Sequence, residues 1–227
     1  MNNLRAVMKQ AVLMAALAIM VAAPVFASST ENACDEAKKG EPSLVISEAD
    51  KAKLDKGQVV IGTQSKPNGR RWVTAKIRIA AHPNEVWNAV HEERKTDPDL
   101  AYSKVVEEGK NEQTLEQKFQ LLPVVGTSVC FIKSSEVPNK RIDYYLLKSD
   151  RFKAVEGSWI LQPTEDGGTI LELASYIDIG MPAPRSFIEN IAGKKLERRV
   201  ANVRRVAESE TEHKKDKVAQ KNEFRSN

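Results

Sequence analysis

Few residues in this chain have the type and spacing to do chemistry. There are three histidines, His82, His91 and His213. His82 precedes Pro83 where a helix should begin, a place for capping or a loop contact. His91 falls where that helix is expected to end, facing water, and His213 sits in a charged terminal segment. No pair of histidines has metal-ligand spacing with a third ligand nearby, so neither a metal site nor a cofactor is expected. Gly167 and Gly168 read as a hairpin turn rather than a phosphate loop. No serine sits in a nucleophile elbow. Asp143 and Glu172 take outward strand positions. What remains is a set of polar residues with inward parity: Gln117, Tyr144 and Ser175. A buried polar group must be hydrogen-bonded or it costs about 1–3 kcal/mol. One reading has the three bonding each other, the backbone or trapped water. The other has them orient the polar head of a ligand in an apolar pocket. General acid catalysis by Tyr144 would need a shifted pKa, and the pattern places no inward cation beside it.

These residues depend on strands to position them. WVTAKIRIA (72–80) alternates apolar and polar, the mark of a half-buried strand. AHPNEVWNAVHEER then reads as a helix, with Pro83 in its first turn and Val86, Trp87 and Val90 on one face. Five further strands follow after a brief one at 102–107. In TLEQKFQLL, Leu115, Gln117, Phe119 and Leu121 share a face. In GTSVCFIKSS, Val129 and Phe131 are assigned to the core, which turns Cys130 outward. In KRIDYYLLK, Ile142, Tyr144 and Leu146 oppose Asp143 and Tyr145. EGSWILQPTEDGGTILEL is a hairpin, with Gly157, Trp159 and Leu161 inward on one arm and Leu171, Leu173, Ser175 and Ile177 on the other. A long helix starts near Arg185 and runs to about Ser209, with Ile188, Leu196, Val200, Val203 and Val206 at helical spacing. Gly193 inside it marks a bend or a close contact.

The order predicts an α+β fold: a curved antiparallel sheet wrapped around a long C-terminal helix. A gap between sheet and helix becomes a cavity if side chains do not fill it. Its walls would be Trp87, Gln117, Phe119, Phe131, Tyr144, Trp159, Leu161, Leu171, Leu173, Ser175, Ile188 and Leu196, although each apolar one could equally be core. In DIGMPAPRSF, Met181 and Phe187 are either a rigid turn or a gate that touches a membrane.

The organisation expected is a signal peptide over 1–27, an arm with a short helix and strand over 28–70, the main domain over 71–208 and a charged tail over 209–227. Arg5 and Lys9 precede an apolar stretch ending in Val25-Phe26-Ala27, so export with cleavage after Ala27 is expected, the rival being an uncleaved anchor. Removing those two cations takes the formal charge from +4 to +2. No basic face results, so nucleic acid is not an expected partner. A secreted or periplasmic compartment permits a disulfide between the two cysteines, Cys34 and Cys130. A buried thiol at Cys130 and a free thiol at Cys34 in a loose N-terminal arm are the alternative.

IAAHPNEVWNAV resembles the strand-and-helix opening of the START-like, or SRPBCC helix-grip, superfamily. RIDYYLLKSDRFKAVEGSWILQPTEDGGTILEL is similar to the matching middle segment of that group. The resemblance covers about residues 45–208. It implies a tunnel between sheet and helix that holds a lipid, a quinone such as coenzyme Q, a sterol or another apolar molecule. Polyketide cyclases belong to the same group. The leading expectation is a periplasmic, non-enzymatic carrier of an apolar molecule. The alternatives are a cyclase- or hydrolase-like enzyme using Tyr144 with Gln117 or Ser175, and a packed interaction module without ligand.

Overall fold

The computed structural model describes residues 44, 46–120, 126–180, 182 and 184–226, with side chains to His213. Every described residue lies within the compact unit Glu41–Asn227. The signal-peptide segment, Cys34, Leu121 and Met181 fall outside the described residues.

Helix α1 (Glu48–Asp55) begins at Ser47, whose hydroxyl accepts the Asp50 amide at 3.1 Å. Strands β1 (Val60–Ser65) and β2 (Arg71–Ile79) form a hairpin. Helix α2 (Pro83–Thr96) has proline in its first turn, and the Glu85 carboxylate reaches back to the His82 amide at 3.2 Å. Strands β3 (Leu100–Glu108), β4 (Glu112–Gln120), β5 (Thr127–Val137), β6 (Arg141–Ser149), β7 (Ala154–Pro163) and β8 (Thr169–Asp178) follow. Helix α3 (Arg185–Ser226) closes the chain.

All eight strands join one curved antiparallel sheet in the order β1-β2-β8-β7-β6-β5-β4-β3. The α+β architecture is the one expected, a sheet gripping a long helix. Helix α3 is longer than the apolar repeat indicates. It continues past Ser209 because the following residues are mostly lysine, glutamate, alanine and glutamine, which propagate a helix without needing an apolar face.

The core lies at the β2–β8–β7 side of the sheet. Ala75, Ile77 and Ile79 of β2 and Leu171 and Leu173 of β8 meet Val86, Ala89 and Val90 of α2 and Val200, Val203 and Ala207 of α3. Helix α3 packs chiefly on β2, α2 and β8. Gly193 lets it lie close to the sheet: an added Cβ there would meet Ile61 Cγ2 at 3.4 Å and Val73 Cγ1 at 4.0 Å. That docking fixes the helix over one half of the sheet and leaves the inner face of β4–β6 without a helix pressed on it.

Candidate ligand cavity

A cavity of about 240 Å³ fills this gap. Leu115 and Phe119 of β4, Ile132 of β5, Val155 and Trp159 of β7, and Ile188, Ile191 and Leu196 of α3 give it apolar walls. A second void of about 190 Å³ lies on the other side of Ser175, Ile177, Ile188 and Ala192, which line both.

Strand register builds part of the cavity's polar lining. Ser134, Tyr144, Gly157 and Ser175 occupy successive cross-strand positions on β5, β6, β7 and β8. Gly157 is the gap in this row. A Cβ there would collide with Cζ and Oη of Tyr144 and with the Ala174 carbonyl. The phenol therefore lies across Gly157 toward Ser175, whose hydroxyl hydrogen-bonds the Tyr144 oxygen. Burial raises the Tyr144 pKa above the usual phenol value, against the opposing pull of Arg199 and Ser175, so the group stays protonated at neutral pH.

Above this row sits a buried ion cluster. The Glu93 carboxylate, 2 % exposed, accepts Nε and Nη2 of Arg199, both at 2.8 Å. Asp97 Oδ2 stands 3.5 Å from the same Nε. The guanidinium carbon lies 5.1 Å from the Trp159 ring centroid. Arg199 Nη1 has no hydrogen-bond partner among the described residues. Burial works against the Arg199 charge, but the Glu93 bond and the charges of Glu93 and Asp97 outweigh it and raise its pKa. Arg94 Nη1 donates to Glu136 at 3.0 Å and Nη2 to Ser134 Oγ at 3.2 Å. Lys195 and Arg198 each reach Asp99 at 3.0 Å. Burial opposes ionisation of Asp99, but these two cations pull its pKa below the ordinary range. Breaking a buried pair by removing one member costs about 3–5 kcal/mol, which applies to Glu93 and Arg199, while the more exposed Lys195 and Arg198 pairs contribute less.

No family model matches the sequence, and no curated protein is significantly similar to it. Solved structures are similar in fold. A START superfamily protein from Mycobacterium smegmatis shares 16% identity over 61% of this chain and 97% of its own, with a TM-score of 0.52. The lipid transfer and protein localization domain of human StarD13 shares 16% over 78% and 94%, at 0.53. A STAR-related lipid transfer protein from Xanthomonas axonopodis shares 14% over 74% and 99%, at 0.54.

The chain has the START-like fold.

In this START-like chain the expected wall residues divide into two groups. Gln117, Phe119, Tyr144, Trp159, Ser175, Ile188 and Leu196 come together around the cavity. Gln117 Nε2 donates to Ser103 Oγ at 3.1 Å, so Gln117 joins neither Tyr144 nor Ser175. Leu161, Leu171 and Leu173 are instead in the closed core. Trp87 packs on the outer part of that core, edge-on to His91 with ring centroids 5.0 Å apart.

Phe131 requires a correction. Ser128, Cys130, Ile132 and Ser134 are the buried face of β5, and Phe131 points the other way, with the Lys148 ammonium 4.2 Å from its ring centroid. The lysine covers the aromatic face on the outside, and smaller side chains go inward, which preserves the cavity. A register shift between Phe131 and Ile132 against β6 accompanies this arrangement. Cys130 is consequently buried and not outward, with no disulfide among the described residues; Ser149 Oγ lies 3.5 Å from its sulfur. His91 is also corrected. Helix α2 runs on to Thr96, so the ring is half-buried, with Nε2 3.4 Å from Glu136.

Arg94, Asp97, Asp99, Lys195 and Arg199 line the START-like cavity and were not expected there. A signal existed for Arg199. Ala192, Leu196, Arg199 and Val203 are spaced four, three and four apart, so the arginine occupies a position of the inward stripe. Its acidic partners lie in HEERKTDPDL, more than ninety residues away in sequence. Among the described residues no cluster of three or more His, Cys, Asp or Glu could hold a metal ion.

Proposed function

We propose that this START-like chain binds and carries an apolar small molecule, a lipid or quinone, in the cavity between the sheet and α3. The observation that carries the reading is the lining of the cavity: mostly apolar walls with a limited set of polar groups, Tyr144, Ser175 and Arg199 among them. Binding would proceed by partition. Apolar ligand surface leaves water at about 25 cal/mol per Å², and the polar groups orient the ligand. Lipid transfer in the names of the human and Xanthomonas structures supports the ligand class by analogy of fold alone.

The site of action we propose is outside the cytosol, in the periplasm or beyond it, from the leader-like segment 1–27. Phe187 lines the cavity yet is 55 % exposed, at the first turn of α3. An exposed aromatic at the rim suits brief contact with a bilayer while ligand passes.

Native mass spectrometry of the protein expressed with its own leader tests the reading. The expected result is a retained apolar molecule, or one acquired from a membrane extract with a rise in Tm. A cavity that stays empty under that challenge, with no thermal shift, overturns it.

A further inference from the structure

We propose that the polar lining of this cavity selects an uncharged head that accepts hydrogen bonds, an alcohol, ester or ketone oxygen, over a carboxylate or phosphate. This rests on the carrier reading and narrows its ligand class.

The cluster above the cavity is charge-balanced. Arg94, Lys195, Arg198 and Arg199 supply four cations, and Glu93, Asp97, Asp99 and Glu136 supply four carboxylates that pair with them, a net of zero. An anionic head placed there would meet Asp97 and Asp99 on the cavity wall beside Arg94, Lys195 and Arg199, whose charges those two, Glu93 and Glu136 already match. It would bring an unpaired negative charge into a partly buried, charge-balanced site. A cationic head would meet Arg94, Lys195 and Arg199 in the same way.

Two groups on this wall keep hydrogen-bonding capacity that a neutral oxygen can use. Arg199 Nη1 has its two hydrogens free while Nε and Nη2 are spent on Glu93. The Tyr144 phenol, protonated and buried beside Ser175, carries one hydrogen that it can give. A neutral ligand oxygen can accept from either without disturbing an ion pair, while the rest of the molecule lies against Trp159, Leu196 and Ile132.

Three probes with one hydrocarbon chain separate the heads: oleyl alcohol, methyl oleate and oleate. Binding to the full chain is measured at a pH of about 9, where burial does not neutralise the carboxylate. Each affinity is divided by that compound's partition into phosphatidylcholine vesicles, which removes the general preference of any apolar site for the less soluble probe. The alcohol and ester are expected to exceed oleate by roughly tenfold, the scale of one charge-assisted mismatch. Tyr144→Phe keeps the ring over Gly157 and should weaken alcohol and ester binding severalfold. Oleate binding as well as the others, or alcohol and ester binding unmoved by Tyr144→Phe, overturns the inference and leaves the carrier reading standing. Failure of all three probes to bind overturns both.

Discussion

Tyr144 and Gly157 stand opposite each other on β6 and β7, and the phenol ring occupies the space that any side chain at 157 would need. This pairing brings the Tyr144 oxygen to Ser175 on the strand beyond. Gly157→Ala should therefore destabilise the protein by about 1–3 kcal/mol, the usual cost of overpacking. The cost should fall in a Tyr144→Ala background, where the phenol is gone and the Ala174 carbonyl still crowds the new methyl. Urea denaturation of the four proteins in the cycle checks this; equal costs in both backgrounds would contradict the contact.

Arg199→Met should remove about 3–5 kcal/mol, because Glu93 would be left buried with its main partner gone. Adding Glu93→Met removes the stranded charge. The double variant should be more stable than Arg199→Met alone, and chemical denaturation reads the difference.

Burial lowers the His91 pKa, although Glu136 pulls it up. The native ring is thus harder to protonate than the unfolded one, which titrates at about 6.5. Stability contributed by the neutral ring is full above that pH and is lost as pH falls from about 6.5 toward the lower native value. His91→Gln should flatten the change in stability between pH about 7 and about 5. Urea midpoints across that range would contradict the assignment if the variant and the parent fell in parallel.

Ala192 borders both voids and is nearly buried. Ala192→Phe should fill space that a ligand needs, weakening binding of an apolar probe by roughly tenfold while lowering stability by no more than about 3 kcal/mol. Titration with a fluorescent fatty alcohol, alongside a thermal melt, separates the two effects. A folded variant with unchanged binding would place the ligand elsewhere.

Cys130 is inaccessible, and burial raises its thiol pKa above the ordinary value. Iodoacetamide should label it only after unfolding, since the thiolate is the reactive form. Mass spectrometry of native and urea-treated protein without reductant gives the answer. Absence of label in urea would mean that the sulfur is already bonded.

Much of the fold could be read from local pattern. The alternation in β2, β4, β6, β7 and β8 has a period of two residues, and that period alone assigns a face. It put Gln117, Tyr144, Trp159 and Ser175 on the side where the cavity lies. The hairpin of β7 and β8 was equally legible, because two apolar runs flank a Gly-Gly turn.

Alternation failed at β5, where the larger aromatic was assigned inward and Phe131 turned out to pack under Lys148. Parity gives two choices, and the choice depends on how much volume the opposite wall leaves. The pairing of Arg199 with Glu93 joins residues 106 apart, and no local pattern encodes such a distance. The same holds for the gap at Gly157, whose meaning lies in a ring on the neighbouring strand. The sequence by itself determined which elements form and most of their faces, since those follow from short-range periodicity and backbone preference. The tertiary structure decided where space remains and which charges meet, because volume and Coulomb energy depend on distances between elements that only folding brings together.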